Sequence, residues 1–201
     1  MGTLAHFDLS ALITRYHTVH FVETGTGRGD GIAHATRYPF HTLRSCESVP
    51  ELAAAATDLF TSDRRVAIYP QSSATFLSST CAIVPANEPI LFWLDAHFPG
   101  ADYGMASYGA ESDGTLRLPL PAELRVIADS RPAHADVILC DDLRIWVDGP
   151  FASRNLPADV RPYCPKVRSA AFFAEIFGET HDVHFNYVDE GYVALVPRQV
   201  P

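Results

Sequence analysis

Nowhere in this chain do about 18 apolar residues run together, the length that a membrane-spanning helix needs. The opening stretch MGTLAHFDLSALITRYHT has no apolar core long enough for an export signal. These absences predict a soluble, unexported, cytoplasmic protein. Basic residues are scarce as well: 15 Lys and Arg face 24 Asp and Glu, a formal charge of −9. No basic run interrupts that balance, so a phosphate backbone or an anionic membrane is repelled, and neither nucleic acid nor membrane is an expected partner. Cysteine is limited to Cys46, Cys81, Cys140 and Cys164, with no C-x-x-C pair to hold zinc or act as a redox dithiol. Three of them lie in or beside apolar segments, where a reduced thiol behaves as a small hydrophobe, and a reducing compartment follows. Position 6 is His where the myristoylation pattern needs Ser or Thr, so Gly2 is not expected to carry a lipid.

What is present is 201 residues at 47% apolar content, enough for one sizeable core and short for two. A single domain over 1–201 is the expectation. Short apolar runs alternate with helix-like stretches, the signature of βαβ units and a parallel sheet. Thr18 to Glu23, Phe40 to Cys46, Arg65 to Tyr69, Pro89 to Leu94 and Asp136 to Cys140 read as strands. Between them, Asp30 to Tyr38, a segment starting near Ser48 with Pro50 in its first turn, Ser73 to Ile83, and Pro121 to Ser130 read as helices. Lys166 to Phe177 follows as another, with Gly178 as its stop signal. His181 to Val188 and Tyr192 to Val196 flank the turn Asp189-Glu190-Gly191 as a β-hairpin. The pattern is that of an α/β fold, doubly wound, with a mostly parallel seven-stranded sheet and a C-terminal antiparallel hairpin. Two connections, His97 to Leu120 and Trp146 to Pro165, are each about twenty residues, the length of lids or binding loops. Both follow the carboxyl ends of strands, where open α/β sheets bind ligands.

The segment Glu23-Thr24-Gly25-Thr26-Gly27-Arg28-Gly29 follows an apolar strand and opens a helix, so its glycines can turn tightly and bring backbone N–H groups to a ligand. The dinucleotide fingerprint needs a third glycine where Asp30 stands, and an acid there repels a pyrophosphate. That weighs against NAD. The segment matches instead the E-x-G-x-G-x-G pattern of class I methyltransferases, whose ligand carries a sulfonium and an amino acid. Glu23 then has a positive charge to meet. Glu47, at the end of the second strand, stands where an acid can accept from both ribose hydroxyls. It also precedes Ser48-Val49-Pro50 and would favour the helix dipole by itself. Ser72, after the third strand, could reach an adenine or equally cap the helix that begins there.

Two apolar strands deliver acids to one rim: Phe92-Trp93-Leu94 runs into Asp95-Ala96-His97, and Val137-Ile138-Leu139-Cys140 into Asp141-Asp142. Three converging carboxylates repel each other unless protons or a metal neutralise them, and hard oxygen ligands suit Mg²⁺ or Mn²⁺. The alternatives are that one aspartate caps the next helix and another pairs with Arg144. His97, two residues on from Asp95, could point to the same side as a ligand or a base.

The runs FVETGTGRGDGIA, LFWLDAHFPG, LPLPAELRVI and VILCDDLRIW together resemble a bacterial group of class I methyltransferase-like proteins, mostly without assigned substrates, over Val19 to Trp146. More distantly, Asp95 with Asp141-Asp142 is similar to the metal-dependent sugar O-methyltransferases of macrolide and aminocoumarin biosynthesis. In that family such aspartates bind Mg²⁺ beside the acceptor hydroxyl, and the fourth-strand acid takes its proton. The resemblance implies S-adenosylmethionine as cofactor, at Glu23, Gly25, Thr26, Gly27, Gly29, Glu47, Ser72 and Asp95. It implies Mg²⁺ or Mn²⁺ on Asp95, Asp141 and Asp142, and Asp95 or His97 as the catalytic base toward a small-molecule acceptor, sugars included. Tyr103 and Tyr108 in the first long connection and Tyr163 in the second are expected to stack on that acceptor. This chain departs from the sugar enzymes at Ala96-His97 and in a much shorter amino-terminal region. A noncatalytic nucleotide-binding or interaction module of the same fold is the rival reading. A metal-dependent hydrolase would use the acids and His97 but leaves the glycine turn and Glu47 unexplained. A homo-oligomer is compatible with each.

Overall fold

The strands Ile90–Leu94 and Val137–Cys140 at the middle of the sheet are apolar at every position because helices cover the sheet on both faces. The computed structural model describes residues 3–131 and 135–198; Gly2, with its lipid expectation, lies outside the described residues. β1 (His20–Thr24), β2 (Thr42–Cys46), β3 (Val66–Tyr69), β4 (Ile90–Leu94) and β5 (Val137–Cys140) are parallel, and β1, β4 and β5 are buried throughout. β6 (His181–Asn186) and β7 (Tyr192–Pro197) form the antiparallel hairpin, with β7 paired to β5. The order β3-β2-β1-β4-β5-β7-β6 makes the expected seven-stranded doubly wound sheet, with strand ends within a residue or two of the expected ones. The chain winds from β1 to β2 on one side and places β4 on the other, so the crevice beyond β1 and β4 is the topological switch point.

Before the sheet comes an unforeseen element, α1 (Leu9–Tyr16), after a 3₁₀ turn over Leu4–His6. Asp8 caps it by accepting from Ala11 N–H at 3.0 Å. α2 (Asp30–Ala35) is shorter than the expected Asp30 to Tyr38. The reason is Arg65, whose guanidinium donates to the carbonyls of Thr36 (2.8 Å) and Tyr38 (3.0 Å) and draws them out of the helical ladder. α3 (Pro50–Leu59) and α4 (Ser73–Ile83) follow. The first long connection contains a short helix, α5 (Gly114–Arg117), and leads to α6 (Leu120–Ser130). The second contains only a 3₁₀ turn over Arg161–Tyr163 before α7 (Ala171–Phe177). α7 begins later than the expected Lys166 because Arg168 donates to the carbonyls of Ile145 (2.8 Å) and Val147 (2.7 Å) and pairs with Asp148 at 2.7 Å. Those bonds hold the chain ahead of α7 against the segment that follows β5.

On one face of the sheet, Phe76, Leu77, Leu124, Ile127, Phe173 and Phe177 from α4, α6 and α7 pack on Phe92 and Ile138. On the other, Leu4, Leu9, Ile32 and Phe40 pack on Phe21, Leu91, Trp93, Leu139 and Tyr192. Each fully buried side chain of this kind contributes about 1.5–3 kcal/mol. Cys46, Cys81 and Cys140 are buried free thiols and Cys164 is half-buried.

One group contradicts this apolar filling. Glu123 on α6 is fully buried, and neither carboxyl oxygen makes a hydrogen bond among the described residues. Burial raises its pKa to about 7, and the nearby hydroxyls of Ser73 and Thr24 offset this only in part. The folded state therefore holds the Glu123 proton more tightly than the unfolded chain, and stability is lost as pH rises from the ordinary value of 4.5 through about 7. Glu123→Gln removes that loss. It should stabilise the protein by up to about 3 kcal/mol at about pH 8 and by little at about pH 5, in denaturant titrations. Parallel pH profiles for wild type and variant would show that Glu123 is not the buried acid responsible.

Candidate functional site

The glycine turn is built by register. Glu23 of β1 lies level with Ser45 of β2 and Trp93 of β4, and residues level across a parallel ladder share a face. The Ser45 hydroxyl donates to Glu23 Oε2 at 2.5 Å and shares a 2.6 Å bond with the Thr26 hydroxyl. Gly25 has φ +81°, a left-handed conformation, and a Cβ there would lie 2.6 Å from the Asp95 carbonyl oxygen. No larger residue fits between β1 and β4 at that point. The N–H groups of Gly25 and Thr26 donate to Cys46 O at 2.9 and 3.0 Å. Gly27 N–H donates to Glu47 Oε2 at 2.9 Å, while Glu47 Oε1 accepts from Val49 N–H at 2.8 Å. Glu47 thus braces both the turn and the entry to α3, which goes beyond the helix-dipole reading. Gly29 is the residue that caps α2 and is not on the cavity wall. The Ser72 hydroxyl bonds Thr75 at 3.1 Å instead of capping a backbone N–H of α4.

The acids follow from the same ladder. Asp95 N–H donates to Thr24 O and Asp141 N–H to Leu94 O, each at 3.1 Å, so the pairing of β1, β4 and β5 runs one residue past the strands. Asp142 then turns into left-handed backbone with φ +54°. Its Oδ2 lies 2.7 Å from His97 Nε2, and Asp95 Oδ1 lies 3.5 Å from the same nitrogen. Arg144 Nε donates to Asp142 Oδ1 at 3.3 Å, so the foreseen arginine pairing coexists with the cluster. Asp95, His97 and Asp142 each offer a ligand atom within 4.8 Å of the others. Asp141 stands outside that group and accepts from Asp142 N–H at 2.7 Å, although it lines the same cavity.

Electrostatics separates these groups. Burial works to lower the His97 pKa, but Asp142 and Asp95 outweigh it and raise it well above the usual value, so the imidazole is held as a cation. Burial works to raise Asp142, but His97 and Arg144 reverse this and lower it. Asp95 and Asp141 stay raised, chiefly by burial and then by their acidic neighbours. Burial likewise pushes Glu23 well up despite Ser45, with Asp95, Glu47 and Asp30 adding to it.

One cavity of about 440 Å³ joins the two halves: Glu23, Gly25, Thr26, Gly27, Glu47 and Ser72 line it together with Asp95, His97, Asp141 and Asp142. Small-ligand pockets span roughly 300–1,000 Å³. Its wall also includes residues from a terminus and a loop. Thr3 and Leu4 come from the amino-terminal segment, which Thr3 N–H ties to Tyr192 Oη at 2.9 Å; no motif or periodicity marks them in the sequence. Tyr103 sits against Gly27, with Asp95 and Glu47 near enough to act on its phenol. Tyr108 donates to Asp102 at 2.8 Å, and Tyr163 packs beside Gly109 off the cavity wall.

Neither a family model nor a curated protein matches the chain. Solved structures do. A Staphylococcus aureus protein named for caffeoyl-CoA O-methyltransferase activity aligns over 98% of this chain and 85% of its own at 14% identity, with a TM-score of 0.62. A Bacillus cereus O-methyltransferase in complex with S-adenosylhomocysteine aligns over 94% and 79% at 14% identity, with a TM-score of 0.57. A Klebsiella pneumoniae protein named as an O-methyltransferase aligns over 95% and 78% at 20% identity, with a TM-score of 0.54. At these identities the likeness shows the fold, that of Rossmann-like class I methyltransferases.

Glu47→Ala leaves two backbone N–H groups without their acceptor, one of them in a buried bond. It should cost about 1–3 kcal/mol of stability in the absence of any ligand, read by chemical denaturation. An unchanged midpoint would mean that Glu47 does not brace the turn.

Proposed function

We propose that this chain is a methyltransferase that uses S-adenosylmethionine to methylate a hydroxyl of a small acceptor, acting as one domain with a divalent ion at the ends of β4 and β5. The observation that carries the reading is the continuity of the cavity, which puts a glycine turn and a ribose-competent acid in one space with a carboxylate–imidazole cluster. In this reading Glu47 accepts from the ribose hydroxyls, and Gly25, Thr26 and Gly27 present backbone to the ligand. Ser72 meets the adenine, and Glu23 meets the cationic tail. A ligand cation next to Glu23 would offset the burial that raises its carboxyl pKa.

Bound there, S-adenosylmethionine supplies an electrophilic methyl group. Asp95 holds the acceptor hydroxyl and takes its proton as the oxygen–methyl bond forms; its raised pKa suits a base better than an ordinary carboxylate does. His97, held protonated by Asp142, is not free to accept that proton and serves as a fixed positive charge. The donor set also fits a metal: two carboxylates and one imidazole lie within 4.8 Å of one another, and the imidazole favours Mn²⁺ over the harder Mg²⁺. An ion on Asp95 and Asp142 would lower the pKa of the acceptor hydroxyl, with His97 giving up its proton to become a ligand.

Acids dominate the cavity wall, with Arg28 its one arginine, so an anionic acceptor such as a phosphate ester or an acyl-CoA is disfavoured. The acceptor is a neutral or cationic hydroxyl compound. Among the described residues no helix is long and apolar enough to cross a membrane. Buried free thiols support a reducing compartment, and the reading includes the cytoplasm.

Millimolar Mn²⁺ should raise the melting temperature by linkage, and Asp142→Asn should abolish that gain while leaving S-adenosylhomocysteine affinity within a few-fold of wild type. A protein that ignores both Mn²⁺ and Mg²⁺ would remove the metal from the proposal. Loss of S-adenosylhomocysteine binding in Asp142→Asn would mean that the two ends of the cavity are not separate sites.

A further inference from the structure

The first long connection carries Tyr103 across to the glycine turn. A Cβ built on Gly27 would lie 1.8 Å from the Tyr103 hydroxyl, so that phenol fills the space on Gly27 that a ligand would use. Its hold there is light. The Tyr103 hydroxyl makes no hydrogen bond among the described residues, and the one specific contact of its ring is Arg28, whose guanidinium carbon stands 5.5 Å from the ring centre. The neighbouring glycines Gly100 (φ +74°) and Gly104 (φ +70°) both hold left-handed backbone. A Cβ on Gly104 would meet nothing within 4 Å, so glycine is needed there for the backbone and not for packing. Below this stretch the loop is fixed: Phe98 is buried and stacks edge-on to Tyr108 at 5.1 Å. Tyr103 therefore sits at the tip of a turn that the Met105 N–H closes onto Gly100 O at 2.9 Å and the Gly104 N–H onto Ala101 O at 3.0 Å, so its own side-chain torsions are what can move the ring.

We propose that Tyr103 is a cofactor-site residue that competes with the ligand for Gly27. The Tyr103 ring covers the glycine turn, and the side chain must swing away before a ligand can contact the backbone there. The proposal rests on the cofactor reading above. Burial, with Asp95 and Glu47 adding to it, pushes the Tyr103 pKa up to about 12, so the gate is a neutral phenol throughout the working range.

Stopped-flow tryptophan fluorescence with S-adenosylhomocysteine separates a competitor from a wall. Removing a competitor raises the association rate and leaves dissociation unchanged, whereas removing a wall speeds dissociation. Tyr103→Ala should raise the association rate constant about two- to fivefold, the bias an exposed cation–π contact can supply, with the dissociation rate unchanged. Arg28→Gln should move the same way, and Tyr103→Phe, which keeps the ring, should behave as wild type. Unchanged rates, or faster dissociation, in Tyr103→Ala would overturn the gate while leaving the cofactor reading standing. Absence of S-adenosylhomocysteine binding in both wild type and Tyr103→Ala would overturn the cofactor reading, and the gate with it.

Discussion

Parallel strands end on one rim, and in this chain the central ones end on or beside acids, so carboxylates that burial has stripped of water are held close together. Their separation is not adjustable. The ladder that pairs Leu94 with Cys140 carries on to Asp95 and Asp141, and the one that pairs Glu23 with Trp93 sets the distance across the switch point. Moving the acids apart would mean unpairing the strands. The surrounding side chains are arranged against this repulsion: Ser45 donates to Glu23, the N–H groups of Gly27 and Val49 donate to Glu47, and His97 and Arg144 meet Asp142. The carboxyls whose ionisation burial still opposes, Glu23, Asp95 and Asp141, lie along one cavity.

That opposition to ionisation connects the fold to the proposed chemistry. A rim that burial has made electrostatically unfavourable is stabilised by whatever cation enters it, whether a ligand's ammonium or sulfonium, a divalent ion, or the His97 proton itself. In the proposed reading these occupy different places along the cavity, with the cofactor's cation at Glu23 and the acceptor and metal at Asp95 and Asp142. His97 is the hinge of the reading, since its proton and a metal ion compete for the same two carboxylates.

The sheet is legible in the sequence because a strand covered on both faces must be apolar at each position, and ILFWL and VILC satisfy that. Helix ends are less legible where a distant side chain decides them. Arg65 shortens α2 from across β3, and Arg168 delays α7 by reaching back to carbonyls near Ile145. Both arginines are visible in the sequence, but the carbonyls they reach are not. In the site, Glu23 and the rim aspartates stand out because they end apolar runs, and Glu47 because it follows the second strand. Which of the aspartates converge does not, because that depends on the left-handed backbone at Asp142, which sends its carboxylate to His97 and its N–H to Asp141. Tyr103 and the Thr3–Leu4 segment reach the cavity from a loop and a terminus, where no periodicity constrains position.

The central claim is that the cavity beyond β1 and β4 is a nucleoside site for a ligand with a cationic amino-acid tail and no pyrophosphate. Calorimetric titration of the intact protein with S-adenosylhomocysteine, with NAD as the matched control, measures it directly. Saturable binding of S-adenosylhomocysteine with no detectable heat from NAD is the predicted result. Tighter binding of NAD, or no binding of either, would contradict it.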